Sequence, residues 1–276
     1  MTEPTIECII DGKQISCAEL EEIKYERAKH VLHEMKSLGA KVVFKGKELS
    51  DSEINYLSRE QALTLNTAVR SQYTPDEIQK LYKNQIKTAE QMWKEIGRNF
   101  VLGKSPVKYS QTYIKATGVN PDLIINGESD NQDVAYETAD QKMKRIAAES
   151  TKNAFQMNPE HFFIAAGSNG LYGMETFGMY GEPFPQTIQP GDESLVPIER
   201  DDEYPVVSTG MPALLDGTPL YTIPFHQYKP LDNGIEMKLA VVMPESTPDE
   251  IIWGHQLHLA IEFEESIKMN AAKSDK

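Results

Sequence analysis

Residues 247–269 read TPDEIIWGHQLHLAIEFEESIKM. Thr247, Pro248, Asp249 and Glu250 form a helix start: Thr caps free N–H groups, Pro is tolerated at the first helical position, and acids favour the positive end of the helix. At about 100° per residue, His255, His258 and Glu262 fall in one narrow stripe. Ile252, Leu259 and Phe263 flank it on one side, and Leu257 and Ile261 on the other. The stretch predicts a long C-terminal helix to Met269 whose polar stripe is embedded in apolar surface, with AAKSDK left as a polar tail.

Upstream of this helix, from Lys104 on, the pattern is β-rich. VKYSQTYIKA, DLIIN, HFFIAAG, LYGMETFGMY, PLYTIPFHQYK and GIEMKLAVVM are separated by Gly, Pro, Asn and Asp, which predicts an antiparallel sheet. ADQKMKRIAAESTKNAF predicts one helical break around Val134–Phe155. Eight of the sixteen prolines lie between Pro183 and Pro224, so that stretch reads as loops and short strands that either connect the sheet, cover a cavity or stay disordered. A sheet followed by one long helix gives an α+β chain with the sheet wrapped on the helix and a pocket between them, the helix-grip, Bet v 1-like arrangement.

The N-terminal part reads as mostly helical. Residues 18–38 carry Leu20, Ile23, Ala28, Val31, Leu32, Met35 and Leu38 at helical spacings, and Gly39 stops them. After KVVFKG, Ser50–Glu53 starts a second amphipathic stretch with Ile54, Leu57, Ala62 and Leu65, and Thr74–Glu77 opens a helix running to Gly97. The expected division is a helical region, 1–103, and a helix-grip catalytic domain, 104–276. The helical region could serve as a dimerisation surface in a homodimer, as a cover over the pocket, or as a distinct domain.

Lys+Arg number 28 against 42 Asp+Glu, a net charge of −14, which disfavours nucleic acid and polyphosphate as partners. Basic clusters such as KVVFKGK and KMKR are interleaved with acidic helices and read as solvated faces. No stretch has the roughly eighteen consecutive apolar residues of a membrane span. Two cysteines, Cys8 and Cys17, are too few for a disulfide framework, and the N-terminus shows no secretory pattern. A cytoplasmic protein is expected.

His258 and Glu262 are an i, i+4 pair whose imidazole and carboxylate can converge on one divalent ion. His161 in MNPEHFFIA, Glu175 in LYGMETFGMY and His226 in YTIPFHQYK lie on predicted strands among apolar neighbours. They could complete a His/Glu/His/Glu set, or be separately satisfied buried polar residues. Tyr113, Tyr172, Tyr221 and Tyr228 sit in or beside strands, where a phenol either hydrogen-bonds an aromatic ligand or packs half-buried. His30 and His33 lie on a charged helix and read as solvated. There is no G-x-S-x-G elbow and no phosphate-binding loop, and GSNGLYG reads as a hairpin turn.

TIPFHQYKPLDNGIEMKLAVVMPE followed by GHQLHLAIEFEESIK resembles the C-terminal part of the diacetylphloroglucinol hydrolase and phloretin hydrolase family, and METFG resembles that family's strand with a metal-binding glutamate. The likeness covers roughly the last 120 residues. It implies a helix-grip fold, a zinc site, and hydrolysis of the carbon–carbon bond between an acyl carbonyl and a polyhydroxylated aromatic ring, with a small aromatic ketone as substrate. It implies Glu175, His258 and Glu262 as metal ligands and His226 as a polar group facing the substrate. The family's tryptophan-rich stretch ending in histidine has no counterpart in YETADQKMKRIAAESTKNAF, so His161 is the inferred fourth ligand. His226 or a nearby tyrosine, Tyr228, would relay a proton to the ring. Tyr113, Tyr172, Tyr221 and His255 are the expected substrate contacts. The competing readings are a non-catalytic helix-grip binder of small molecules and a metal-dependent lyase or isomerase on a similar substrate.

Overall fold

The computed structural model describes residues 3–125, 151–167 and 170–273. Its centre is one nine-stranded antiparallel sheet. In chain order the strands are β1 (Thr5–Ile10), β2 (Lys13–Ile15), β5 (Val107–Thr117), β6 (His161–Gly167), β7 (Gly170–Glu175), β8 (Phe184–Pro190), β9 (Val206–Leu214), β10 (Ile223–Leu231) and β11 (Gly234–Pro244). Across the sheet they run β2-β1-β5-β11-β10-β9-β8-β7-β6. Strands β6 to β11 thus form a meander whose last member returns to pair with β5 along its full length, from Val107 opposite Pro244 to Thr117 opposite Gly234. A separate two-stranded hairpin, β3 (Val43–Phe44) and β4 (Lys47–Glu48), turns at Lys45-Gly46, both with positive φ.

The C-terminal helix spans Asp249–Lys273 and packs on β5 and β1. Leu257, Leu259, Ala260, Ile261 and Ile267 meet Ile114, Ala116, Met237, Leu239 and Val241 of the sheet in the main core. Burying side chains of this size contributes roughly 1.5–3 kcal/mol each. The fold is therefore mixed α+β, with a large antiparallel sheet and a C-terminal helix.

The N-terminal helices start where the capping signatures put them. Ser16 with Glu19, Ser50 with Glu53, Ser58 with Gln61 and Thr74 with Glu77 form reciprocal caps on α1 (Cys17–Ser37), α2 (Asp51–Asn55), α3 (Arg59–Arg70) and α4 (Pro75–Leu81). The expected single helix from Thr74 to Gly97 is broken at Tyr82, leaving α5 as Lys83–Ile96. Tyr82 is fully buried there, and its hydroxyl donates to Glu34 at 2.9 Å. The stretch after Ser50 is likewise broken, by the second cap at Ser58.

Three expectations are corrected. DLII is not a strand but the short helix α6 (Pro121–Ile125), entered through an Asn120 side chain that accepts from the Asp122 N–H at 3.0 Å. The proline-rich stretch contributes two full strands, β8 and β9. The division at residue 103 does not hold either, because β1 pairs with β5 and Cys8, Ile10, Leu20, Ala89, Trp93 and Ile96 share the main core with the sheet. The remaining helical residues fill a second core with Phe162, Phe163 and Met174 of β6 and β7. Residues 151–157 are helical, while the rest of the helix expected over 134–155 lies outside the described residues, as do Ser168, Asn169 and the last three residues of the tail. Gly167 opposite Gly170 is consistent with the expected hairpin. Among the described residues no helix is long and apolar enough to cross a membrane.

Glu34 yields a stability prediction. Burial is the main reason its pKa rises from 4.5 to about 7; the Tyr82 hydrogen bond opposes the rise, and the charges of Glu182 and Glu160 add to it. Between those two values the folded chain retains a proton that the unfolded chain has lost, so stability falls as pH rises. Glu34→Gln, which can still accept from Tyr82, should melt a few degrees above the parent at pH 8, with the gap closing towards pH 4.5. Thermal unfolding across that range checks it.

Candidate metal centre

His161 enters the site at the start of β6, where it lies opposite Glu175 at the end of β7. A register shift between His161 and Phe163 marks a bulge, a device that re-aims side chains. Phe162 and Phe163 fill the second core, while His161 reaches the C-terminal helix. His258 and Glu262 come from that helix one turn apart, as the stripe predicts.

Four potential ligand atoms converge. His161 Nε2 lies 3.0 Å from His258 Nε2 and 3.3 Å from Glu175 Oε2. His258 Nε2 lies 3.5 Å from the same glutamate oxygen. Glu262 Oε2 is 3.7 Å from His258 Nε2 and 4.0 Å from His161 Nε2. The tautomers follow from the outer hydrogen bonds. His161 Nδ1 faces the Ala154 carbonyl at 3.1 Å and His258 Nδ1 faces Glu160 Oε2 at 3.2 Å. Neither oxygen can donate, so both Nδ1 atoms carry hydrogen, and both Nε2 atoms face inward, where an ion could take the place of any proton they hold. Metal-binding histidines are commonly held this way, with the outer N–H given to a carboxylate or carbonyl.

Such a set calls for positive charge at its centre. Burial opposes the charged form of His258, yet the hydrogen bonds to Glu160 and Glu175 outweigh it and lift its pKa to about 9. Burial likewise opposes the Glu175 carboxylate, which hydrogen bonds from His161 and His258 hold well below the usual range. His161, Glu175 and His258 form a buried group that could hold a metal ion, their ligand atoms all lying within 4.8 Å of one another.

The residues behind this group escape a reading by motif. Glu160 is 1% exposed and accepts from Arg27 Nη1 at 2.8 Å and from the Met179 N–H at 2.8 Å. Arg27 also donates to the Gly254 carbonyl of the C-terminal helix. Arg70, equally buried, donates to the carbonyl oxygens of Phe155, Asn158 and His161. Gln186 donates to Glu175 Oε1 at 2.6 Å. A signal for Arg27 and Arg70 was present: each sits on the apolar face of its helix, beside Ala28 and Val31 in α1 and beside Val69 in α3.

A cavity of about 610 Å³ opens beside the centre, between the C-terminal helix and strands β6 to β11. His226 and His255 line it with Glu175, His258 and Glu262. His226 stands edge-on to Phe263, and burial lowers its pKa to about 4. His255 stacks on His258 with ring planes 8° apart, its Nδ1 at 3.0 Å from Ser110 Oγ.

The tyrosines are not brought there. Tyr228 packs in the main core without lining the cavity. Tyr172 stacks near Phe163 and its hydroxyl accepts from Gln79. Tyr221 packs on Phe100, and Tyr113 lines a different cavity of about 790 Å³ with Asp11, Arg200, Asp201 and Lys238. His33 meets Asn55 on the surface, as a solvated residue would. No protein-family model, curated protein or solved structure gives a significant match to this chain.

Two outcomes follow for the supporting shell. Arg27→Met and Glu160→Gln each leave a buried polar partner uncompensated and should weaken binding of a divalent ion by about 10- to 100-fold, measured by competition with a chromophoric chelator. Gly254 faces the β7–β8 loop so closely that a Cβ there would lie 2.7 Å from the Phe177 carbonyl oxygen and 2.8 Å from Tyr180 Cδ2. Gly254→Ala should therefore displace that loop, destabilise the fold by about 1–3 kcal/mol in denaturant unfolding, and weaken the ion along with it.

Proposed function

We propose that this chain is a zinc-dependent hydrolase of helix-grip architecture that cleaves the carbon–carbon bond between an acyl carbonyl and a hydroxylated aromatic ring. The observation that carries the proposal is the convergence of His161, Glu175, His258 and Glu262 beside a mainly apolar cavity. Two imidazole nitrogens and two carboxylate oxygens suit zinc. At ligand bonds of about 2.0–2.1 Å, a tetrahedral ion sets neighbouring ligand atoms about 3.3–3.4 Å apart, and the distances between these four groups bracket that value. The six-stranded meander closing on β5 and followed by the long helix supports the helix-grip reading.

Zinc supplies Lewis acidity towards a carbonyl and makes water acidic near neutrality. The rest falls to the protein. Leu259, Phe263, Ile188 and Val241 present an apolar wall that suits an aromatic ring and thins out bulk water. His226 lines the same cavity and is neutral at pH 7 because burial disfavours its charged form; in this reading it would accept a proton from water and return it to the departing ring carbon. Overall, ketone and water give a carboxylic acid and the unacylated ring, with every atom accounted for. Tyr228 has no part in this scheme, since it lies in the core.

Metal analysis and product analysis on phloretin together test the proposal. The purified chain should hold about one zinc per molecule and release an acid and the free polyphenol. Chelation or His258→Ala should reduce turnover to below about 1%. Undiminished turnover without metal, or an isomerised product, would refute it.

A further inference from the structure

Among the described residues, three polar atoms with no hydrogen-bond partner belong to side chains that line the cavity beside the metal centre: Gln186 Oε1, Thr222 Oγ1 and His226 Nδ1. Gln186 and Thr222 are 3% and 2% exposed. Buried polar atoms are normally satisfied, and those that are not call for a functional reason. Here their grouping in one cavity supplies it.

The Gln186 amide has one orientation. Its Nε2 donates to Glu175 Oε1 at 2.6 Å, and since a carboxylate cannot donate, the amide oxygen is the atom left over. Gln186 thus offers an acceptor one hydrogen bond behind a metal-site carboxylate. Thr222, immediately before β10, offers a hydroxyl of either sense.

Among the described residues that line the cavity there is no lysine and no arginine, while Glu175 and Glu262 are both present. Zinc would balance the charges of Glu175 and Glu262, so a carboxylate or phosphate on the ligand would find no uncompensated positive side chain among these residues. The apolar lining, including Ile188, Pro212, Val241, Leu259 and Phe263, disfavours it further.

From these observations we infer that Gln186 and Thr222 are specificity-determining residues that select a neutral ligand carrying a hydroxyl or N–H donor beside Glu175. This inference rests on the metal-centre reading proposed above, and it narrows the substrate to uncharged hydroxylated ketones.

Calorimetric titration of the zinc-loaded protein with 2,6-dihydroxyacetophenone, acetophenone and 2-acetylbenzoate tests it. The dihydroxy compound should bind at least about tenfold tighter than acetophenone, and 2-acetylbenzoate should bind most weakly. Gln186→Leu should shrink the dihydroxy preference to about threefold or less while acetophenone binding holds. Because Gln186 touches a metal-site carboxylate, Thr222→Val serves as the second variant and should shrink the same ratio severalfold. If Gln186→Leu no longer takes up zinc, the Thr222→Val ratio decides. A ratio unchanged in the zinc-competent variants, or tightest binding by 2-acetylbenzoate, overturns the inference. Failure of the parent protein to take up zinc is seen before any ligand is added, and it strikes the metal-centre reading instead.

Discussion

Four atoms able to bind a metal ion are pressed together in the interior, the Nε2 atoms of His161 and His258 and one carboxylate oxygen each from Glu175 and Glu262. Polar groups of this kind would otherwise seek water. The surrounding structure is arranged to prevent that. The bulge at the start of β6, the one-turn spacing on the C-terminal helix and the pairing of β6 with β7 fix where the four atoms sit. The outer hydrogen bonds of both imidazoles fix which way their Nε2 atoms face.

Charge balance comes from the far side of the centre. Arg27 of α1 and Arg70 of α3 are both almost completely buried, and neither lines the cavity. Arg27 neutralises Glu160, whose other contacts are His258 and the backbone of the β7–β8 loop. Arg70 draws three carbonyls of the 155–161 segment round its guanidinium, and is itself held by the Asn66 side chain and carbonyl. Breaking a buried pair such as Arg27–Glu160 costs about 3–5 kcal/mol, whereas exposed pairs such as Arg59 with Glu21 and Glu22 contribute about 0–1 kcal/mol. The N-terminal helices thus hold the centre in place through two cations, although they supply none of its four inward-facing atoms.

Periodicity and capping made much of this legible. The helix stripe of His255, His258 and Glu262 is a property of spacing, and spacing survives folding. His161 and Glu175 could be picked out by residue type on apolar strands, but their alignment depends on a bulge that no local pattern announces. The tyrosines misled because strand residues alternate between faces, and a phenol is equally at home in a core, as Tyr228 is, or over a distant cavity, as Tyr113 is. Asp11-Gly12 between Ile10 and Lys13 carried a hairpin signal, confirmed by positive φ at both residues, yet it lies next to a helix long enough to dominate the reading. Glu160 stayed hidden because its ion pair with Arg27, 133 residues away, leaves no trace in its own neighbourhood, although Arg27 on the apolar face of α1 carried a signal.

The pairing of β5 with β11 sets the order in which the molecule can be built. As the chain is synthesised, the helices and the β1–β2 hairpin can form from local contacts, and β1 can meet β5. Strand β5 then waits for Gly234–Pro244, more than a hundred residues later, before its other edge is covered. Long-range pairings of this kind are slow, because the loop must close before any contact rewards it. His258 and Glu262 arrive later still. An ion held by those residues would engage a sheet that has already closed, and by mass action it would secure the last step of assembly against reversal.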